Sequence, residues 1–374
     1  MVLGALSGYT IGITADRRCE EQAELIARRG GTPVTGAVIR TLPLSDEPAL
    51  ELATRVLVDD PPDVVVLCTG VGARGWISGA EALGLDDGLA VALGSAEVIA
   101  RSPKAAGAAV ALGVPVQWVA PGATYREVVE HLSARPATRA DGTRVRVAVQ
   151  LDGQDSSGMC ESLTEHGYDV VGVRVYRWEL PEDTGPAERL VEAAAERLLD
   201  AVTFTSARAV VNFVEIARRS GAWEQVLQSV DRDVVVCCVG PVTADAARTA
   251  GMGDPVEPTR PRLGAMVQAL VRTFEGRSRT LELNGAQVFV QGRLVVVDGA
   301  EPIRLSERER AVLDALSDRP GAVVSKRALI ERVWAGAADD HAVEVTVGRL
   351  RKRLGPIGAS IDTVMRRGYR LDVD

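Results

Sequence analysis

Two stretches of the chain repeat at an offset of about 140 residues, and that spacing limits what its first three quarters can become. DVVVLCTGVGARGWISGAEALG, from Asp63, echoes DAVTFTSARAVVNFVEIARRSG, from Asp200; GITADRRCEEQAELIARRGGTPV, from Gly12, echoes AVQLDGQDSSGMCESLTEHGYDV, from Ala148. A weaker third pair sets VALGSAEVIA, from Val91, against VCCVGPVTADAA, from Val236. A period this long means duplicated domains, not a solenoid.

Within each copy, short β-rich runs alternate with helical stretches rich in Ala, Leu, Glu and Arg. Strands are expected at Tyr9–Thr14, Asp63–Thr69, Leu89–Leu93, Val145–Gln150, Ala201–Thr205 and Asp233–Val239. Helices are expected at Arg17–Gly30, Tyr125–Ser133, Met159–His166, Pro186–Leu199, Ala207–Ser220 and Val242–Ala250. Runs such as VVVL and VVVCCV are apolar throughout, which fits strands buried on both faces of a parallel sheet. The expected class is α/β.

Near residue 275 the character changes. After the polar EGRSRT, the segment LELNGAQVFVQGRLVVVDGAEPIRL alternates apolar residues with Gly turns. Ser306 and Glu309 have the spacing of a capping box for the helix ERERAVLDALSD, which presents Ala311, Val312, Ala315 and Leu316 at helical spacing. A second helix runs from Lys326 to Trp334, punctuated by Gly336, and a third from Asp339 or Asp340 to Leu354. IDTVMRRGYRLDV closes the chain as a hairpin. Strands, then helices, then a hairpin is the order of a winged helix.

The third helix is the informative one. Val343, Val347, Leu350 and Leu354 form one apolar stripe at i, i+4, i+7 and i+11. At 100° per residue the opposite face holds His341, Val345, Gly348, Arg349 and Lys352, with Arg351 and Arg353 on the flanks. A basic face with a Gly notch suits a major groove, which admits one helix. Arg349 can offer a guanidinium fork to guanine or phosphate, while Arg351 and Lys352 are expected on phosphates. Arg366 and Arg367, beside Met365 at the hairpin tip, add two cations.

Charge becomes informative once divided. The whole chain carries 43 Lys and Arg against 51 Asp and Glu, a net of −8. Residues 281–374 hold 15 and 14 of these, a net of +1, so the acidity lies in the first 280 residues. Clustered cations matter more to DNA than the total. The 5 cysteines include no C-x-x-C pair, and the 3 histidines are far apart, so neither a disulfide frame nor a metal site is expected. The segment MVLGALSGYT lacks a basic n-region, and no run approaches the ~20 apolar residues of a membrane span. The expectation is a cytoplasmic protein.

LSERERAVLDAL, VVSKRALIERVWAG, VEVTVGRLRKRL and IDTVMRRGYRL resemble the OmpR-type effector domain of bacterial response regulators over about 90 residues. The resemblance implies a third helix that reads the major groove and a wing that touches the minor groove. Carried over by position, it adds His341, Val345, Thr346, Arg349 and Arg351 as DNA contacts. The wing departs from the family: Met365 stands where an Arg is usual. A phosphoacceptor receiver often precedes such a domain, but here Asp63, Asp200 and Asp233 open their strands instead of ending them, so phosphorelay control is not expected.

DAVTFTSARAVVNFV, VCCVGPVTADAARTAG and VRVYRW resemble uroporphyrinogen-III synthase, sparsely, over residues ~8–275. That resemblance implies two α/β domains joined by a two-strand connector at Val34–Leu42 and Val171–Arg177, a tetrapyrrole held in the cleft between them, and no cofactor. It also implies a hydroxyl-loss role for Tyr176 and ligand-facing loops at Thr205, Ser206, Gly240 and Thr243. In the first copy Thr69 takes the corresponding turn within Cys68-Thr69-Gly70-Val71-Gly72. An expanded loop in ALGSAEVIARSPKAAGAAVALGV is expected to offer Arg101 and Lys104 to carboxylates.

The expected organisation is therefore 1–36 with 178–275 as one synthase-like domain, 37–177 as the inserted one, and 281–374 as a winged-helix domain. The combination resembles actinobacterial regulators of nitrate and nitrite assimilation. Three readings follow: a regulator that binds operator DNA, in one copy or as a dimer, and senses a tetrapyrrole or other small molecule; a synthase of uroporphyrinogen III that also binds DNA; or a scaffold whose first part only dimerises or recruits a partner.

Overall fold

In a computed structural model, residues 3–44, 48–151, 153 and 158–373 are described. The chain divides into two units, Met1–Ile39 with Leu180–Asp374, and Arg40–Glu179. The first unit opens with β1 (Thr10–Ile13), α1 (Cys19–Ala27) and β2 (Thr32–Thr35).

The second unit then begins with β3 (Arg40–Pro43), α2 (Pro48–Asp59), β4 (Val64–Leu67), α3 (Gly70–Ala82) and α4 (Asp86–Ser95). It continues through β5 (Glu97–Ala100), α5 (Pro103–Ala111), β6 (Trp118–Val119), α6 (Tyr125–Ser133) and β7 (Arg146–Gln150). It ends with α7 (Met159–Glu165), β8 (Asp169–Val173) and β9 (Tyr176–Glu179). Its sheet is parallel, in the order β6-β5-β4-β7-β8. Alternate residues serve two cores: Val65, Leu67, Val98, Ala100 and Ala148 face one side, Val64, Val66, Ile99, Val147 and Val149 the other. This two-sided burial is what the unbroken apolar runs require.

Back in the first unit come α8 (Gly185–Ala195), β10 (Ala201–Phe204), α9 (Ala207–Arg219), α10 (Trp223–Arg232), β11 (Val235–Cys238), α11 (Pro241–Thr249) and α12 (Leu263–Glu275). The parallel order β11-β10-β1-β2 repeats β5-β4-β7-β8 of the other unit. The duplication read in the sequence is thus a duplication of sheets.

The last segment forms an antiparallel meander, β12 (Arg279–Leu283), β13 (Ala286–Gln291), β14 (Leu294–Val297) and β15 (Ile303–Arg304). Helices α13 (Glu307–Ser317), α14 (Lys326–Trp334) and α15 (Asp340–Leu354) follow, then a 3-10 turn and the hairpin β16 (Ile361–Val364) and β17 (Gly368–Leu371). These elements close on a core of their own, built by Val312, Leu316, Leu329, Val343, Leu350 and Leu371 among others. It is a winged helix, and the capping box at Ser306 and Glu309 is formed.

Four expectations need correction. Leu89–Leu93 is not a strand: it lies inside α4, which buries Leu89, Ala92 and Leu93, and the strand is β5. The third repeat pair is consequently out of register, since β5 is the counterpart of β11. The loop expected around Arg101 and Lys104 is not expanded: Ser102 caps α5 and Pro103 opens it, just as Pro241 opens α11. The connector strands lie at β3 and β9, which pair antiparallel from Arg40 with Glu179 to Pro43 with Tyr176. The expected segments straddle the ends of β2 and β8. Among the described residues no helix is long and apolar enough to cross a membrane.

Candidate nucleic-acid interface and strand-end loops

Asp339 caps α15, its carboxylate accepting the Ala342 amide at 2.8 Å, and Gly355 ends the helix with φ +62°. Val343, Val347, Leu350 and Leu354 are buried, as the stripe requires. Each such side chain contributes roughly 1.5–3 kcal/mol, which fixes the rotation of the helix and so the identity of its outer face. His341, Gly348, Arg349 and Lys352 are exposed, and a Cβ at Gly348 would meet nothing within 4 Å. Val345 and Thr346 are half-buried, and the Thr346 hydroxyl donates to the Ala342 carbonyl at 2.8 Å.

The arginines of this helix divide by use. The Arg351 Nε donates to the Ile361 carbonyl at 2.8 Å and its Nη2 to Thr363 Oγ1 at 2.9 Å, with the guanidinium 5.7 Å over the Tyr369 ring. It ties the wing to the helix. Arg353 reaches Glu309 Oε2 at 2.9 Å and so joins α15 to α13. No ion pair or side-chain hydrogen bond of the described residues engages Arg349 or Lys352, nor Arg366 or Arg367 in the exposed wing turn. Met365, at the same tip, is 82% exposed, and Arg366 takes φ +58° there. Gly368 is required at the turn's end: a Cβ would lie 2.1 Å from the Val324 carbonyl. Sequence reasoning missed Lys326, which pairs with Asp340 at 3.4 Å and with Glu344, pinning α14 to α15. Its acidic partners at the first and fifth positions of α15 were the available signal.

In the second unit, connections leave β4 and β7 in opposite directions across the sheet, so their ends form a topological switch point. Thr69 caps α3 there, accepting the Gly72 amide at 3.0 Å. Its own amide donates to Gln150 Oε1 at 3.1 Å, and its hydroxyl lies 3.2 Å from the Tyr176 hydroxyl. Gln150 is fully buried and comes so near the backbone that a Cβ at Gly72 would lie 2.0 Å from its amide nitrogen. This glutamine escaped sequence reasoning, although a polar residue closing an apolar strand was a usable sign. Arg101 stacks 4.2 Å over the Tyr125 ring, and Lys104 is exposed in the first turn of α5.

In the first unit the equivalent positions are built alike. Ser206 caps α9, accepting the Ala209 amide at 3.2 Å, and Thr205 precedes it. Gly240 lies against Pro261, whose Cβ would be 2.8 Å from an added Cβ; Thr243 is buried behind it, its amide donating to the Gly240 carbonyl at 3.1 Å. Helix N-termini at strand ends present amide donors suited to carboxylates. Thr205, Ser206, Gly240 and Thr243 thus lie in one unit, and Thr69, Arg101, Lys104 and Tyr176 in the other.

Comparison with known proteins assigns both parts. A family model described as uroporphyrinogen-III synthase HemD matches residues 20–268, and one described as transcriptional regulatory protein, C terminal, matches residues 300–371. A mutant uroporphyrinogen III synthase from the extremely thermophilic bacterium Thermus thermophilus is 30% identical, covers 72% of this chain and 99% of its own, and superposes with a TM-score of 0.58. The protein YjjA of Bacillus subtilis is 28% identical over 270 residues, 72% of this chain and 97% of its own. The transcriptional regulatory protein PrrA of Mycobacterium tuberculosis is 29% identical over 195 residues, 49% of this chain and 80% of its own.

Proposed function

The chain belongs to the uroporphyrinogen-III synthase family, and from that premise we propose that it is a transcription regulator that binds duplex DNA through α15 and its wing and senses a small molecule through the synthase-like part. The observation that carries this reading is the outer face of α15: Arg349 and Lys352 stand exposed and uncommitted beside the Gly348 notch, while the inner stripe is buried. Among the described residues no ion pair or side-chain hydrogen bond engages that face. In a major groove Arg349 reaches a base edge, and Lys352, Arg366 and Arg367 neutralise phosphates.

The resemblance to nitrate and nitrite assimilation regulators supports genes of that process as targets and a tetrapyrrole as effector, since nitrite reduction uses siroheme. Genome-wide mapping of bound sites tests this: peaks upstream of nitrate and nitrite genes are expected. Peaks scattered without sequence preference would remove the regulator reading, and peaks only at other genes would remove the nitrogen assignment alone.

A second reading, retained synthase activity, rests on the Tyr176 hydroxyl lying 3.2 Å from the Thr69 hydroxyl at a switch point. Cyclisation of hydroxymethylbilane must expel a hydroxyl. A phenol at that place can donate a proton to the departing oxygen while strand-end amides hold the substrate's carboxylates. Purified protein given hydroxymethylbilane decides it: type III isomer above the spontaneous type I background establishes an enzyme, and type I alone removes this reading.

A further inference from the structure

Asp63 and Asp200 hold equivalent places in the two duplicated sheets. Each precedes a central strand and accepts the opening amide of the next strand: Arg146 N–H for Asp63 and Thr10 N–H for Asp200, both at 2.7 Å. Each also takes an arginine. Asp63 receives Arg139 of its own unit, through Nε at 2.9 Å and Nη2 at 2.6 Å. Asp200 receives Arg310, and Arg310 belongs to α13 of the winged helix. The two aspartates also differ in depth, with 33% of the Asp63 side chain exposed but only 3% of Asp200. A carboxylate that deep needs a counter-charge, and here the DNA-binding domain supplies it.

Two more seams join the same partners. Gln291 Nε2 donates to the Gly4 carbonyl at 2.8 Å and the Ser7 carbonyl at 3.0 Å, and the Arg293 amide donates to the Gly8 carbonyl at 3.0 Å. Gly292 makes this approach possible: it has φ +54°, and a Cβ there would lie 2.6 Å from the Gly8 carbonyl oxygen. In return, Arg197 of the α/β domain donates Nη1 to the Arg332 carbonyl at 3.2 Å, in the last turn of α14, where a cation is favoured by the helix dipole. The Asp233 carboxylate holds the Arg197 guanidinium in place through Nε at 3.1 Å and Nη2 at 2.5 Å.

We propose that the winged helix is an integral part of the α/β domain and not a head on a tether, with Arg310 completing the buried Asp200 site and Arg197 fixing the end of α14. The α/β sheet then sets how α15 is presented. One strand, β10, has the clasp at its start and Thr205 and Ser206 just past its end. Arg310, Asp200 and Arg197 are positioning residues. Their effect on DNA recognition rests on the proposed regulator function; their structural coupling does not.

Hydrogen exchange read by mass spectrometry on the full chain tests the coupling. In Arg310→Met the amides of β1 and β10 are expected to exchange at least about tenfold faster, although the substitution lies in α13. Asp200→Asn is expected to speed α13 likewise. Unchanged β1 and β10 in Arg310→Met overturns the proposal. Should that variant not fold, the wild type decides: protection of β10 and of α13 is expected to vanish together as denaturant rises, and loss of α13–α15 with β1 and β10 still fully protected overturns it. Gel shifts on the same samples separate the two ideas, because wild-type protein that ignores all DNA at low salt sinks the regulator reading and leaves the exchange result standing.

Discussion

Arg349 and Arg351 stand two residues apart on α15 and are put to opposite uses. Arg349 is exposed and, among the described residues, makes no ion pair or side-chain hydrogen bond, so its removal is expected to leave the fold intact. Arg349→Ala is expected to cost roughly 1–3 kcal/mol of specific binding while unfolding stays within about 0.5 kcal/mol of wild type. Gel-shift titration and calorimetry check the two halves, and unchanged operator affinity takes Arg349 off the recognition surface. Arg351 spends its guanidinium on the Ile361 carbonyl, Thr363 and the Tyr369 ring. Arg351→Ala is therefore expected to lower stability by about 1 kcal/mol and to speed exchange at the Ile361 and Thr363 amides. A variant with weakened DNA binding and an unaltered wing would assign Arg351 to the duplex instead. Sequence reasoning places both on DNA, because helical periodicity says which side a residue occupies but not whether a hairpin ten residues on will claim it. Gln150 shows the converse: its neighbours Thr69 and Gly72 lie about eighty residues upstream, so only the sheet brings them together.

At the level of elements, α1, α9 and α15 were legible from their patterns, whereas α2, α10 and α12, amphipathic as they are, and the glycine-rich α3 and α4 were not among the expected helices. α15 carries its stripe through 15 residues with a cap at each end, so its limits and faces could be read directly. α4 passes for a strand because DDGLAVALGS is apolar nearly all round and leads to β5 through the single residue Ala96. No turn marks the change of period. α3 escaped for another reason: GVGARGWISGAEA is poor in helix propensity, yet a Cβ at Gly70 would lie 2.6 Å from the Lys104 carbonyl, so close packing on α5 demands glycine there. The capping box of α13 was legible and leads to a pH prediction. Burial pushes the Glu309 carboxyl up, but the Ser306 amide and hydroxyl and the Arg353 guanidinium together outweigh it and hold the group below the ordinary glutamate range. A depressed carboxylate stabilises the fold above its unfolded value and loses that contribution as pH falls through the folded one. Protection of α13 against hydrogen exchange is thus expected to fall from roughly pH 5 downward, and Glu309→Gln to show less protection at neutral pH with a flatter acid side. An acid limb as steep in Glu309→Gln as in wild type assigns the loss to other carboxylates.

For the whole molecule, charge is distributed against its own function unless it is divided. A chain of net −8 is repelled by a polyanion at long range, and only residues 281–374, at net +1, can approach it. In the winged-helix domain many cations are already neutralised: Arg279 and Arg310 by Asp314, Arg293 by Glu307, Arg353 by Glu309, Arg370 by Asp362. Arg349, Lys352, Arg366 and Arg367 remain on the face of α15 and the wing. Each phosphate neutralised lowers the slope of log affinity against log salt by about 0.9. One copy that puts Lys352, Arg366 and Arg367 on phosphates has a slope of about −2.7, a loss of roughly 40-fold between about 50 and 200 mM salt. Two copies on one operator double the slope, and the loss becomes roughly 2 × 10³-fold. Fluorescence anisotropy across that salt range therefore reports both the cations in contact and the copies bound, with sedimentation at saturation giving the stoichiometry independently. If Arg349 reads a base and not a phosphate, its replacement by Ala lowers affinity at every salt concentration and leaves the slope unchanged, whereas Arg366→Ala and Arg367→Ala each make it shallower by about one. A slope near zero in the wild type means that Lys352, Arg366 and Arg367 do not neutralise phosphates of a duplex, and the basic surface of α15 and the wing then needs another explanation.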